Sequence, residues 1–256
     1  VIHTLPALEA LRRALPGARL GWVVEEPSAP LLEGHPALDR LYVIPRKRWR
    51  AGWWRVWTAG RRRLWREEIR PFFQQMRAEG WEAAVDFQGL TKSGLVIRAS
   101  GAPLRVGYGD RDGRELNKLF TNRRVRPPAE TRHVVERNLA LLRGLGVEPP
   151  AGPVYAAPAL REEELAEARR FFADWGAGWG REGGGGGAGV AALNPGAGWS
   201  TKRWPVEHFI ALGQRLSAEA GMKILVLWGP KEEPLREMIT EGLLKRGVDA
   251  RPAPRL

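Results

Sequence analysis

Short β-rich runs alternate with helical leucine stripes along nearly the whole chain, and this limits the possible folds more than any other feature. GWVVE (21–25), LYVIP (41–45), AAVDF (83–87), residues 105–108, 190–193 and KILVLW (223–228) read as strands. Between them lie helical patterns over 6–15, 61–79, 133–145, 161–175, 205–220 and 232–246, with a further helix starting at Thr91. The segment 61–79 sets Leu64, Ile69, Phe72, Phe73 and Met76 on one side, with a kink expected at Pro71. Parallel strands cannot be joined by tight turns and need crossovers of this length, so the alternation predicts an α/β fold of parallel sheets covered by helices. Pro149 and Pro150 interrupt the pattern and suggest two such units, 1–152 and 153–256, the second carrying a Gly-rich surface loop around 176–189.

Composition narrows the chemistry. The chain has no cysteine, which excludes disulfides and thiolate metal sites. Its four histidines (His3, His35, His133, His208) form no pair at metal-ligand spacing, so no metal site is expected. No apolar run approaches the roughly 20 residues of a membrane helix. Lys and Arg number 41 against 29 Asp and Glu, a formal charge of +12, concentrated in 46–66 and 122–126. Such runs are either a solvated basic surface or the footprint of an anionic partner. Trp49, Trp53, Trp54, Trp57 and Trp65, interleaved with the arginines, suit nucleic acid, sugars or a membrane interface.

The stretch NPGAGWSTKRWP (194–205) stands between a strand and a Pro-started helix. In open α/β sheets ligands sit beyond the carboxyl ends of strands, where loops run into helix N-termini. Gly196 and Gly198 allow close backbone approach, Pro205 fits the first helical turn, and Ser200, Thr201 and Lys202 offer two hydroxyls and a compact cation. A phosphate or diphosphate suits this loop; the other reading is an ordinary Gly-rich turn with a solvated lysine. The order of a Walker A motif is absent.

Four stretches together resemble the bacterial lipopolysaccharide heptosyltransferases, and within them heptosyltransferase I: 1–26, VDFQGLTKSGL (85–95), the LFTNRR and RHVVER pair within 119–137, and LNPGAGWSTKRWPVEHF (193–209). The resemblance implies a GT-B glycosyltransferase with two Rossmann-like domains facing a cleft, the N-terminal one mainly for acceptor and the C-terminal one mainly for donor. The implied reaction moves heptose from ADP-L-glycero-β-D-manno-heptose to a Kdo sugar of Kdo2-lipid A, with inversion and without metal or cofactor, at the cytoplasmic face of a Gram-negative inner membrane. It also implies a catalytic aspartate in a Gly-Asp pair just ahead of Val1, a preceding first strand, and a donor motif beyond Leu256. The 256 residues are therefore expected to be a fragment without its catalytic base, inactive alone.

On the donor side the family pattern gives Lys202 the diphosphate, with Gly198, Ser200 and Thr201 around it, and gives the ribose to Glu232, with Glu233 as its rival. On the acceptor side, Gln88 and Lys92 stand at a strand end facing the implied cleft, His3 and Thr4 lie beside the expected base, and a basic face of Lys47, Arg48, Arg50, Arg61, Arg62, Arg63, Arg123 and Arg124 suits the anionic acceptor, with Trp49, Trp53 and Trp54 reaching the headgroup layer. Asp86 is as well read as a hydrogen-bonded turn residue as a base, and His3 and Thr4 as capping or packing residues. Heptosyltransferase II or another core transferase of this fold is the nearest alternative; a nucleic-acid-binding module, which no RNA-binding motif supports, is the remote one.

Overall fold

The computed structural model describes residues 1–51, 59–109, 115–152, 154–176 and 189–254. The Gly-rich run 177–188 and Trp53, Trp54 and Trp57 lie outside the described residues. The chain divides into two compact units, Val1–Leu160 and Arg161–Leu256. The stretch 154–160, assigned from sequence to the second unit, belongs to the first. Ala159 N–H donates to Leu31 O, the buried His35 meets Ala157 O at 3.3 Å, and Val154 and Ala156 pack against the first unit's apolar clusters.

Unit one starts with helix α1 (Leu5–Ala14), whose leucine stripe is buried as its period requires. Strand β1 (Gly21–Glu25) pairs in parallel with β2 (Arg40–Ile44), Gly21 opposite Arg40 and Glu25 opposite Ile44. Helices α2 (Arg46–Ala51), α3 (Ala59–Leu64) and α4 (Arg70–Ala78) follow. The irregularity expected at Pro71 takes the form of a π-helical turn over Trp65–Ile69, directly before the proline-bearing first turn of α4. Strand β3 (Ala83–Val85), helix α5 (Thr91–Ala99), strands β4 (Leu104–Tyr108) and β5 (Arg123–Val125), and helix α6 (Val134–Ala140) complete the unit. The order β3-β4-β5 is parallel throughout. β5 had been read only as a charge cluster, because RRV offers no apolar alternation.

Apolar packing explains the arrangement. One side of α1 (Leu5, Leu8) meets Val24 of β1, while Ala7, Ala10 and Leu11 meet Leu139 and Leu142. Tyr42, Trp49, Phe72, Phe73 and Trp81 form a separate aromatic cluster with ring centroids 5.2–6.4 Å apart, edge-to-face except for the tilted Trp49–Phe73 pair.

Unit two is a parallel sheet ordered β6-β7-β8: β6 (Val190–Leu193), β7 (Lys223–Val226) and β8 (Ala250–Pro252). Helices α8 (Val206–Ala220) and α9 (Glu233–Leu244) bring Ile210, Ile239 and Leu243 onto Ile224 and Val226. A second cluster sets Phe171 and Phe172 of α7 (Glu162–Asp174) and Trp175 against Leu225. Trp175 anchors that contact: its indole N–H donates to Asp249 Oδ1 at 2.7 Å, and Lys223 Nζ reaches both Trp175 O and Asp249 Oδ2 at 2.7 Å. The Lys223 and Trp175 bonds hold the Asp249 carboxyl below its ordinary value.

A carboxyl depressed in the folded state stabilises above its unfolded pKa and loses that contribution as pH falls through the folded one. Thermal melts across acid pH are therefore expected to show a flatter decline below about pH 4 for Asp249→Asn than for the parent. Trp175→Phe, which keeps the ring and removes the donor, is expected to lower unfolding stability by about 1 kcal/mol in urea titrations.

Candidate functional site

Parallel pairing places functional loops at the strands' carboxyl ends. In unit two, the loop after β6 closes into a 3-10 turn, Ser200–Lys202, with Lys202 N–H on Trp199 O and Arg203 N–H on Ser200 O at 3.0 Å. Arg203 Nη2 ties back to Ala197 O at 3.3 Å. The turn leaves Ser200, Thr201 and Lys202 exposed, and the Lys202 side chain has no hydrogen bond or ion pair among the described residues. Trp204 stacks on His208 at 5.1 Å just beyond, and Pro205 serves as the N-cap of α8.

The loop after β7 comes to the same place. Glu232 is the N-cap of α9 and Glu233 its first residue, so only Glu232 turns back over the loop. Its Oε2 accepts from Gly229 N at 2.8 Å, and a Cβ on Gly196 would overlap its carboxylate oxygens. Gly196 is therefore required by Glu232, whereas the sequence had pointed to a ligand; the position of Gly198 is open space. Sequence selected Lys202 and Glu232 by pattern. The structure adds that the glutamate is held against the loop that carries the lysine.

In unit one, Asp86 is buried directly after β3 and works as a hub. Its Oδ1 accepts from Gln88 N (2.9 Å) and Gly89 N (3.1 Å), and its Oδ2 from Ser93 Oγ (2.7 Å) and Asn117 Nδ2 (2.6 Å). With its acceptor sites so engaged, it is the turn-forming residue of the two readings. The hub displays Gln88, exposed, and starts α5 at Thr91 and Lys92. Glu115, in a left-handed backbone (φ 55), accepts from Thr91 N at 3.0 Å, and its carboxyl is lowered by Thr91's bonds and by Lys92.

Lys92, read as an acceptor contact, is paired: its Nζ donates to Glu25 Oε1 at 2.8 Å, and Arg46 Nη1 donates to Glu25 Oε2 at 2.9 Å. The basic face is likewise partly neutralised, Arg48 by Glu68 and Arg63 by Glu67. Arg124 donates to Lys118 O at 3.2 Å, while Lys47, Arg62 and Arg123 are exposed. The side chains of Arg50 and Arg61 lie outside the described residues.

Two sequence expectations change here. Trp49 is no exposed headgroup anchor, because its ring packs on Phe72 at 5.3 Å and Phe73 at 6.1 Å. Thr4 is buried within hydrogen-bonding reach of Asn138 Nδ2 (3.4 Å), which also donates to His3 O at 2.8 Å; Thr4 is thereby a packing residue, and the His3 side chain stays exposed. Glu25, Arg46, Glu115 and Asn117 were missed. For Glu25 a signal existed, an acid at the carboxyl end of a strand, but its partners are 21 and 67 positions away.

Asp86→Asn puts an amide against donors that need an acceptor, and is expected to cost roughly 2 kcal/mol of unfolding stability by denaturant titration. Equal stability of mutant and parent would mean the hub is dispensable.

The family model described as glycosyltransferase family 9 (heptosyltransferase) matches residues 69–253. Lipopolysaccharide heptosyltransferase 1 of Pseudomonas aeruginosa is 31% identical over 233 residues, 91% of this chain and 59% of that protein. Its namesake from Escherichia coli is 31% identical over 245 residues, 94% of this chain and 69% of that protein. The chain thus spans about three fifths to two thirds of these relatives' length. The structure of E. coli heptosyltransferase WaaC with ADP-2-deoxy-2-fluoro heptose superposes with a TM-score of 0.72 at 28% identity, covering 100% of this chain and 72% of that one. By these matches, and by its parallel α/β units with their loops at the strands' carboxyl ends, the chain belongs to glycosyltransferase family 9, the heptosyltransferases.

Proposed function

We propose that this chain carries the donor- and acceptor-binding residues of an inverting heptosyltransferase that moves L-glycero-D-manno-heptose from ADP-heptose to Kdo of Kdo2-lipid A in lipopolysaccharide inner-core assembly. The observation that carries the reading is Lys202, an exposed ammonium between β6 and α8 with no hydrogen bond or ion pair among the described residues, on a loop that Gly196 lets meet the carboxylate of Glu232. As the bond between heptose and ADP breaks, negative charge grows on the diphosphate; a positioned cation and free N–H groups at a helix start lower the energy of that charge. Glu232, already held by Gly229 N–H, keeps further acceptor capacity for ribose hydroxyls. The donor analogue named in the WaaC structure supports ADP-heptose, and Kdo as the acceptor sugar is what the resemblance to heptosyltransferase I implies.

Kdo carboxylates and lipid A phosphates are anionic, in keeping with the +12 charge and with Lys47, Arg62 and Arg123 on the surface of unit one. No helix among the described residues is long and apolar enough to cross a membrane. Peripheral attachment to the anionic cytoplasmic face of the inner membrane, through these cations, is the location proposed. The base that takes the acceptor proton is, by the resemblance, the aspartate of a Gly-Asp pair.

The test uses the full-length protein with ADP-heptose and two acceptors, Kdo2-lipid A and its monoheptosylated product. Transfer to the first alone is expected; transfer to the second alone would move the reading to heptosyltransferase II. Lys202→Ala is expected to lower kcat/KM for the donor by about 2 to 4 kcal/mol in transition-state terms, and unchanged kinetics would remove the lysine from the mechanism.

A further inference from the structure

Three side chains from three separate elements converge at the carboxyl end of β1. Glu25 closes the strand, Arg46 begins α2 and Lys92 lies in the first turn of α5. One carboxylate oxygen takes Lys92 at 2.8 Å and the other takes Arg46 at 2.9 Å. The cluster is open to solvent: Glu25 is 32% exposed, Lys92 47% and Arg46 50%. Burial pushes the Glu25 carboxyl up, but the bonds from Lys92 and Arg46 outweigh it and keep it below the usual range.

Ion pairs this exposed add little to stability, so holding the fold together is not the main consequence of the trio. What it fixes is the placement of two long cationic side chains. Left alone, each would lose rotamer freedom when a ligand ordered it, and that loss would weaken binding. Glu25 uses one ammonium hydrogen and one guanidinium donor, leaving further N–H groups on both cations for another anion. The three charges sum to one positive.

We propose that Glu25 is a positioning residue, which sets Lys92 and Arg46 side by side as a two-cation seat for an acidic group of the acceptor. The inference rests on the acceptor-binding reading of Lys92 and adds to it the residue through which the seat is built. The group recognised is an oxyanion, either a sugar-acid carboxylate or a phosphate.

The experiment titrates the chain with free Kdo in one arm and inorganic phosphate in the other, following binding by NMR, for the parent, Glu25→Gln, Glu25→Asp, Lys92→Met and the Glu25→Gln/Lys92→Met double variant. At least one probe is expected to bind the parent. Binding by Kdo assigns the seat to a sugar-acid carboxylate, and by phosphate to a lipid phosphate. Glu25→Gln is expected to weaken that probe about fivefold, equivalent to about 1 kcal/mol. Glu25→Asp should restore part of the loss, and the double variant should lose no more than Lys92→Met, since Glu25 acts through the lysine. In the full-length protein Glu25→Gln should raise the acceptor KM by a similar factor with kcat and donor KM unchanged. Failure of both probes to bind, a Gln variant that binds as well as or better than the parent, or equal changes in kcat and both KM values would overturn the proposal. If the full-length parent transfers no heptose, the proposed reaction falls, while the two binding arms still decide the role of Glu25.

Discussion

Parallel strand pairing is the constraint on which the rest of this structure depends. A parallel strand cannot turn directly back, so the chain must leave each carboxyl end, cross the sheet and return at the amino end of the next strand. Every departure point lies on the same edge of its sheet. In unit one the β1-β2 sheet carries Glu25 and Arg46 on that edge and the β3-β4-β5 sheet carries Asp86 and Lys92, with Lys92 reaching Glu25; in unit two it gathers the Ser200–Lys202 turn and Glu232. Residues far apart in sequence become neighbours by topology, and polar side chains collect there because the sheet's apolar faces are occupied by helices.

Each edge is held together by a carboxylate, used differently in the two units. Asp86 is buried and accepts from four donors, which fixes the turn between β3 and α5 without leaving capacity for chemistry. Glu232 is half-buried and draws one loop onto another while keeping an oxygen available. Glu25, also half-buried, bridges two cations. Burial separates Asp86 from the other two: a buried carboxylate must be fully hydrogen-bonded, whereas a solvated one can exchange partners.

The positive charge of the chain takes on a finer form in the structure. Part of the basic face is met by the protein's own acids, Arg48 by Glu68 and Arg63 by Glu67. Among the described residues the Lys202 side chain has no hydrogen bond or ion pair, and it sits on the loop at the carboxyl end of β6. Net charge can draw an anionic partner from a distance, but the recognition of one depends on these individual placements.

Much of this was legible in the sequence. Strands 21–25 and 190–193 fall where their β-rich runs lie, and the leucine stripe of α1 and the Gly-Pro turn after β7 mark their elements, because local periodicity and turn chemistry act over a few residues. The motif around Lys202 was legible for the same reason. Strand β5 was not, since it is a strand only by pairing with β4; nor was the boundary at Leu160, which follows from His35 and Leu31 holding a later segment. Nor could the sequence say that Trp49 would find Phe72, that Gly196 exists to admit Glu232, or that Glu25 would join Lys92 to Arg46. By itself the sequence determined the class of fold and which loops carry basic side chains. Only tertiary structure decided which of them are free and which are already paired, because pairing depends on distances that folding sets between residues the chain keeps apart.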